Sequence, residues 1–338
     1  MTSNELNPGR LLGISGAYWQ TCTLHAAVKL DIFSAVGESP VSIREIAEKI
    51  DAPQRSLSML LDALCAMELL EKNIEADSLI YYKNSSISSK FLCRDSPEYI
   101  GFMIMHHYHL VESWHRLDES VLGGKPVRPR ASFTDEEKRE SFLMGMFNIA
   151  MASAPGIVPA VDLSNKKMLL DLGGGPGTYA IQFCLHNPHL SAAVFDLPTS
   201  RPFAEKTIAR FNLQDRITFQ AGNFLENDIE GSFDAVWISH ILHGDSPEDC
   251  RKIIDRAASV MMPGGMIIIH DFILNNEKDS PLFPALFSLN MLLATEGGQA
   301  YSEKEIMDML EKAGFINLGR SSYVGPTESG IITGYLPA

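Results

Sequence analysis

Short apolar runs alternate with longer amphipathic stretches through the C-terminal half of the chain. The apolar runs predict strands at residues 169–172, 190–195, 217–221, 233–238 and 266–269. The amphipathic stretches predict helices at residues 179–186, 200–211, 247–260 and 303–313. Strands that alternate with helices indicate a parallel sheet covered on both faces, so we predict an α/β domain here.

The N-terminal hundred residues show a different pattern, dominated by helical periodicity. Amphipathic helices are predicted at residues 23–36, 42–50 and 54–70, and a small β wing at residues 79–83 and 86–89. A helix–turn–helix followed by a wing is the winged-helix arrangement, which is common in DNA-binding proteins. Residues 97–160 are predicted to be mainly helical. We therefore predict domains at residues 1–96, 97–160 and 161–338.

The charge of the N-terminal module argues against nucleic acid as its partner. Residues 1–100 hold nine Lys and Arg against thirteen Asp and Glu. The predicted recognition helix offers only Arg55 as a phosphate partner, with Asp62 and Glu68 beside it. Phosphate contacts supply much of the affinity for DNA. A winged-helix DNA-binding regulator is therefore a remote alternative.

Composition sets further bounds on the class of protein. The chain has 338 residues, 45% apolar content and a formal net charge of −14, which suits two domains and disfavours nucleic acid and anionic membranes. Five cysteines form no C-x-x-C pair, which favours reduced thiols and a cytoplasmic location. No apolar run approaches the roughly eighteen residues of a membrane span. Residues 1–10 do not resemble a signal peptide.

A glycine-rich loop follows the first predicted strand of the α/β domain. Asp171 ends the strand, and Gly173, Gly175 and Gly177 follow in a G-x-G-x-G spacing before a helix. Such a loop lets a nucleotide-like ligand touch the main chain. Thr178 stands where a dinucleotide fingerprint has glycine or alanine, and the proline before Gly177 removes an N–H. We therefore predict a ligand without phosphates.

An acidic residue, Asp196, ends the second predicted strand. A carboxylate at this point can accept hydrogen bonds from both hydroxyls of a ribose. The alternative is an α/β domain whose glycine loop is only a tight turn. The position of Asp196 favours a nucleoside site.

A histidine cluster in residues 97–160 raises the question of a metal. His106 and His109 share a predicted helix face. No neighbouring Cys, Asp or Glu completes a set with ligand spacing, so we interpret these residues as a polar helix edge facing a cavity. We expect no metal site.

From residue 169 onward the chain resembles the class I S-adenosylmethionine (SAM)-dependent methyltransferases, and specifically the small-molecule O-methyltransferases of the caffeic acid and acetylserotonin type. The motifs that carry the resemblance are DLGGGPG at 171–177, FDLP at 195–198, GNF at 222–224, ILH at 241–243 with Cys250, PGG at 263–265, GG at 297–298 with SEKE at 302–305, and AGF at 313–315. The N-terminal half fits too, so the resemblance covers nearly the whole chain.

The resemblance implies a Rossmann-like, seven-stranded α/β domain whose sheet ends in an antiparallel hairpin, formed by residues 323–324 and 330–336. It also implies that the winged-helix module pairs two subunits in a homodimer, and that residues 97–160 cover the pocket for a small-molecule acceptor. The acceptor is expected to be a hydroxylated aromatic or polycyclic compound.

The resemblance also implies which residues form the site. SAM would be the methyl donor and S-adenosylhomocysteine the product. Cofactor contacts are expected from Asp171, Gly173, Gly175, Gly177, Asp196, Leu197, Asn223, Phe224 and Ser239. Acceptor contacts are expected from His106, Phe147, Met151 and Met291. His243 is expected to be the general base, because a neutral imidazole can accept a proton at pH 7.

The sequence departs from the family pattern where acids should support His243. Gly244 replaces an acid directly after the histidine, and Ala300 and Gly334 replace acids that orient the imidazole. The acids that could substitute for them are Asp245, Asp271 and Glu296. Because of these departures, N- or C-methylation without a histidine base stays open as an alternative, as do another SAM-dependent tailoring reaction and a member that has lost SAM binding.

Overall fold

The computed structural model describes residues 7–74, 79–130 and 136–338. The chain divides into two compact units, Met1–His109 and Leu110–Ala338. The boundary between the units falls inside one helix, Gly101–Trp114. The three-part division at residues 96 and 160 stays a prediction.

The N-terminal unit is mainly helical. Its helices are α1 (Gly9–Gly16), α2 (Tyr18–Lys29), α3 (Ile32–Val36), α4 (Ile43–Ile50), α5 (Gln54–Ala66), α6 (Ser86–Phe91) and the first part of α7 (Gly101–Trp114). Its strands are β1 (Val41–Ser42), β2 (Leu70–Ile74) and β3 (Ile80–Asn84), which form an antiparallel sheet in the order β1-β3-β2. Apolar side chains from α2 to α5 and from β3 fill one core.

Two details of the predicted N-terminal unit are wrong. The helix predicted at residues 23–36 is broken, because Asp31 adopts a left-handed conformation with φ of 54° between α2 and α3. The predicted wing is a hairpin, but its first strand is β2 rather than residues 86–89, which lie in α6. Ser85 directs the chain out of the sheet, since its hydroxyl donates to Leu69 O at 3.0 Å.

The C-terminal unit contains a seven-stranded sheet with the order β6-β5-β4-β7-β8-β10-β9. The strands are β4 (Met168–Leu172), β5 (Ser191–Asp196), β6 (Ile217–Ala221), β7 (Phe233–Ser239), β8 (Met261–Phe272), β9 (Ile316–Val324) and β10 (Ser329–Tyr335). The first five strands are parallel to one another, and β10 pairs antiparallel with both β8 and β9. The α/β class and the terminal hairpin are confirmed.

Helices cover both faces of this sheet. They are α8 (Leu117–Gly123), α9 (Glu136–Ile157), α10 (Thr178–His186), α11 (Arg201–Arg210), α12 (Pro247–Ser259), α13 (Leu282–Leu292) and α14 (Glu303–Lys312). The buried apolar residues form two clusters, one on each face, because side chains alternate across the central strands. Strand β8 begins at Met261, before the predicted strand at residues 266–269, so the PGG motif at 263–265 lies inside a strand.

Helix α9 bears on the expectation that no apolar run is long enough to span a membrane. By length and composition it is apolar enough to cross a membrane, whereas no such run was expected. Its side chains Leu143, Phe147, Ala150 and Ala154 are buried in the protein. This burial is typical of a core helix.

Candidate active site

The glycine-rich loop joins β4 to α10 at the carboxyl end of the sheet. Gly173, Gly175 and Gly177 have φ values of 74°, 52° and 75°, a region that side chains with a Cβ rarely adopt. At Gly173 a Cβ would also lie 2.3 Å from Ile241 Cδ1. The loop lies where the strand order reverses between β5 and β7, which is the usual ligand site in an open α/β sheet.

Asp171, near the end of β4, stabilises this loop. Its carboxylate accepts from Ala180 N at 3.1 Å, and a Cβ on Gly174 would lie 2.5 Å from its Cγ. Burial raises the pKa of the Asp171 carboxyl to about 7, although the hydrogen bond from Ala180 lowers it. Because only 1% of Asp171 is exposed, it supports the loop in this structure and offers little surface to a ligand.

Asp196 ends β5 and faces the glycine loop. One carboxylate oxygen accepts from Gly175 N at 2.7 Å, and the other accepts from Leu197 N at 2.6 Å and from Ser200 Oγ at 2.8 Å. A carboxylate has about four acceptor positions, so capacity is left for a ribose hydroxyl. The residues therefore fit a nucleoside, since the carboxylate of Asp196 and the main chain of the glycine loop meet at this edge of the sheet.

The other predicted cofactor residues lie at the carboxyl ends of β6 and β7. Asn223 Oδ1 accepts from Leu225 N at 3.0 Å, which fixes the turn that carries Phe224. The Phe224 ring lies close to Gly173, 3.6 Å from the position of a Cβ on that glycine. Ser239 Oγ is hydrogen-bonded to the buried His270 Nδ1 at 2.9 Å. The structure thus brings Phe224 to the glycine loop. The Ser239 hydroxyl is instead hydrogen-bonded to His270.

His243 lies in a short turn, Leu242–Gly244, that follows β7. Its Nδ1 is 2.6 Å from Asp271 Oδ1, on the neighbouring strand β8. Burial raises the pKa of the Asp271 carboxyl, but the neighbouring imidazoles of His243 and His240 outweigh burial and hold it well below its usual range. Nδ1 can donate to an ionised Asp271 carboxylate in the tautomer that carries its proton on Nδ1, and Nε2 is then the acceptor.

The other acids considered for this role do not contact His243. Asp245 is buried and pairs with Arg130, whose Nη2 lies 2.8 Å from its Oδ1. Arg130 Nη2 also donates to Gly244 O. Glu296 is exposed. Asp271 is therefore the acid that holds the imidazole.

His240 completes a group of three possible metal ligands with His243 and Asp271, all within 4.8 Å of one another. His240 has a left-handed φ of 56°, and its Nδ1 is 3.6 Å from Asp271 Oδ1, which is longer than a hydrogen bond. The sequence did not single out this group. The expectation that the protein has no metal stays a prediction.

Aromatic rings surround His243. The Phe272 ring is stacked on its imidazole with centroids 5.7 Å apart, and the Phe287 ring meets it edge-on at 4.7 Å. Phe283 extends this group, 5.0 Å from Phe272 and 6.0 Å from Phe287. This aromatic cluster, Phe272, Phe283 and Phe287, gives the site beside the histidine an apolar wall.

The predicted acceptor residues lie on three different helices. Phe147 and Met151 lie on α9, and Met151 Sδ contacts Gln182 Nε2 on α10 at 3.2 Å. Met291 is buried on α13, one turn beyond Phe287. His106 belongs to the N-terminal unit, on α7. Their roles toward an acceptor stay predictions.

Comparison with known proteins identifies the class. Residues 122–316 match the O-methyltransferase domain, and residues 12–94 match the O-methyltransferase dimerisation domain. The chain is 30% identical over 333 residues to the 3-hydroxy-5-methyl-1-naphthoate 3-O-methyltransferase of Streptomyces sahachiroi, covering 97% of this chain and 95% of that protein. It is 29% identical to the N,N-dimethyltransferase OxyT of Streptomyces rimosus, covering 93% and 94% of the two chains.

The chain also superimposes on human N-acetylserotonin methyltransferase solved in complex with SAM. The TM-score is 0.89 at 25% identity, and the match covers 100% of both chains. This protein therefore belongs to the O-methyltransferase family. It is a SAM-dependent methyltransferase.

Several residues of the site were missed or left undecided in the sequence. Asp271 was one of three candidate acids, and His240, Phe272 and Phe287 were given no role. The signal available for Asp271 was its position at the end of a strand next to β7. Since carboxyl ends of neighbouring parallel strands share one edge of the sheet, the end of β8 lies beside the turn that carries His243.

Proposed function

We propose that this protein transfers a methyl group from SAM to a hydroxyl of a small aromatic acceptor, with His243 as the general base. The observation that carries the proposal is the 2.6 Å contact between His243 Nδ1 and Asp271 Oδ1. With Nδ1 engaged, Nε2 makes no hydrogen bond to the described residues and can take the proton of an acceptor hydroxyl.

The cofactor would be held by residues at the carboxyl ends of β4, β5 and β6. SAM supplies an electrophilic methyl group, so the protein needs to align and desolvate the reactants more than to activate the donor. Asp196 would bind the ribose, the main chain at Gly173 and Gly175 would approach the nucleoside closely, and Phe224 would pack on the adenine. Alignment of two reactants can lower the barrier by about 7–11 kcal/mol.

The base would act on the acceptor hydroxyl. A phenol has a pKa near 10 and is mostly protonated at neutral pH, so removing its proton makes it a better nucleophile. A positioned base contributes about 10²–10⁴-fold to the rate. The Asp271 carboxylate would stabilise the imidazolium that forms on His243.

The aromatic cluster supports an aromatic acceptor. Rings of Phe272 and Phe287 flank the imidazole, so an acceptor hydroxyl that reaches Nε2 brings its own ring against theirs. The naphthoate methyltransferase of Streptomyces sahachiroi bears the name of a bicyclic acceptor of this kind.

We also propose a homodimer formed by the N-terminal unit. Residues 12–94 match the dimerisation domain, and α1 and α2 expose Leu11, Leu12, Ile14 and Trp19. Apolar side chains exposed together on short helices are typical of an interface. Sedimentation equilibrium of the full chain tests this, and a monomer at micromolar concentration would contradict it. The cytoplasmic location stays a prediction.

A second candidate is methylation of an amine. It is favoured by the similarity to the N,N-dimethyltransferase OxyT, which covers 93% of this chain. An amine attacks through its own lone pair, so this reaction would not need His243 as a base.

Two measurements test the proposal. Calorimetric titration with SAM should give micromolar affinity for the wild type and a loss of at least about tenfold for Asp196→Ala, because the ribose contact disappears. Incubation of a cell extract with methyl-deuterated SAM should yield a labelled methyl ether, identified by mass spectrometry and NMR. A labelled N-methyl product would favour the second candidate, and unchanged SAM affinity in Asp196→Ala would contradict the placement of the cofactor.

A further inference from the structure

The guanidinium of Arg128, in the C-terminal unit, has no counter-ion in the part of the chain that the structure describes. Arg128 Nη2 donates to Asn290 Oδ1 at 2.9 Å, and its Nη1 donates to Pro129 O at 3.3 Å. Its Nε is buried without a hydrogen-bond partner in the described residues. No carboxylate of residues 7–74, 79–130 or 136–338 forms an ion pair with it.

This arrangement is unfavourable for a guanidinium. Burial lowers the pKa of Arg128 to about 10, so the group is still charged at neutral pH. A partly buried cation that lacks an anion loses hydration without electrostatic compensation. Arg130, two residues further along, shows the compensated case, because its guanidinium pairs with the buried Asp245 at 2.8 Å.

Arg128 is linked through helix α13 to the aromatic ring that packs against His243. Its partner Asn290 follows Phe287 by three residues on α13, so both lie on one face of the helix, about 4.5 Å apart along its axis. Phe287 in turn packs edge-on against His243. The other end of the segment returns to the same turn, since Arg130 donates to Gly244 O. These contacts link both Arg128 and Arg130 to the immediate neighbours of His243.

The main chain near Arg128 suggests an alternative, purely structural role. Val127 N and Arg128 N both donate to Leu293 O, at 3.0 and 3.1 Å, where α13 has ended. A cation near a helix C-terminus is favoured by the helix dipole, by about 0.3–1 kcal/mol. This effect is small beside the cost of a buried unpaired charge, and it leaves Nε without a partner.

We propose that Arg128 binds a carboxylate of the methyl acceptor, so that the acceptor is a hydroxylated aromatic acid. The inference rests on the proposed function and specifies its substrate class. The acceptor hydroxyl lies at His243, its ring lies along Phe287, and its carboxylate pairs with the guanidinium of Arg128. A guanidinium can bind a carboxylate through two parallel hydrogen bonds, which fixes orientation as well as charge.

The test compares acceptors that differ only in charge. The probes are 3-hydroxy-1-naphthoate and its uncharged amide, 3-hydroxy-1-naphthamide, with SAM and the full-length protein. Wild-type kcat/KM should be about 10- to 100-fold higher for the naphthoate, as expected for hydrogen bonds to a charged group. In Arg128→Gln this preference should disappear, mainly through KM, while Arg128→Lys retains part of it. Arg210→Gln, an exposed arginine in the last turn of α11, should keep the wild-type ratio.

Binding measurements separate this inference from the proposed function. Titration of the naphthoate into the complex with S-adenosylhomocysteine should show binding to wild type and at least about tenfold weaker binding to Arg128→Gln. An equal loss for naphthoate and naphthamide, or the same naphthoate affinity in both proteins, would overturn the inference and leave Arg128 a structural residue. So would a wild-type protein that binds SAM but not the naphthoate. Failure to bind SAM would instead overturn the proposed function.

Discussion

The imidazole of His243 and the carboxylate of Asp271 meet through Nδ1 and Oδ1 at 2.6 Å. The two residues are 28 positions apart in the chain but lie at the ends of neighbouring parallel strands, β7 and β8. Asp271 is buried and also accepts from Phe272 N at 2.8 Å, so its side chain is fixed from two sides. The pair orients the His243 imidazole at a site where the acids of the family pattern are absent.

Asp271→Asn should leave the fold intact and impair catalysis. An asparagine can donate from its amide to Nδ1 and so favour the tautomer whose Nε2 carries the proton, which cannot act as a base. We expect kcat to fall by about 10²–10⁴-fold, the usual contribution of a general base, with SAM affinity unchanged. Steady-state kinetics and calorimetry measure the two quantities. A kcat close to wild type would show that Asp271 does not orient the base.

Chelation of metals should not change the activity. His243 Nδ1 and Asp271 Oδ1 are 2.6 Å apart, closer than the roughly 3.3 Å between two ligands of one tetrahedral zinc ion. The two atoms are therefore placed for a hydrogen bond. Dialysis against EDTA, with metal content checked by mass spectrometry, should leave kcat unaltered. Loss of activity that returns on adding zinc would contradict this.

Gly173→Ala should weaken SAM binding, whereas Gly264→Ala should not. Both glycines have left-handed φ values, 74° and 72°, so both substitutions cost about 1 kcal/mol of backbone strain. Only at Gly173 does the new Cβ collide with a side chain, Ile241, because the space around Gly264 is open. We expect at least about tenfold weaker SAM binding by calorimetry for Gly173→Ala alone. Equal affinities in the two variants would show that the loop geometry is not needed for the cofactor.

Asp171 should make the ligand-free protein less stable as pH rises. Burial raises the pKa of its carboxyl to about 7 in the folded chain, against about 3.9 when unfolded, so the folded state binds the extra proton between these values. Stability from this group is therefore full below about pH 4 and is lost as pH rises through about 7. Between about pH 5 and pH 7.5, wild type should lose roughly 2–3 kcal/mol relative to Asp171→Asn. Urea unfolding of both proteins measures the difference, and parallel pH profiles would refute it.

Strands β4, β5 and β7 could be predicted from the sequence because each is a short and largely buried apolar run. Strand β6 was predicted with its observed bounds, Ile217–Ala221, and β4 and β7 within one residue at each end. Burial on both faces makes such runs continuous and easy to recognise.

The N-terminal hairpin was harder to predict. Leu70–Ile74 has only one buried residue, Leu70, and reads as the end of a helix, while residues 86–89 show the mixed polarity of an edge strand. The strand forms because β2 pairs with β3 in register, Lys72 opposite Tyr82, which is a tertiary contact.

The orientation of the His243 side chain could not be predicted either. Three acids were compatible with the sequence, and the choice depends on the register of β7 with β8, where Ser239 lies opposite His270. That register places the next residue of β8, Asp271, beside the turn with His243. Local periodicity gives the existence of strands but leaves their register open.

The rate of methyl transfer in His243→Ala tests the central claim most directly. It is measured at saturating SAM on the acceptor identified by labelling, with SAM affinity determined for the same preparation. We predict a rate at least about 100-fold below wild type, since the general base is gone, and unchanged SAM affinity. A wild-type rate of transfer in this variant would contradict the account.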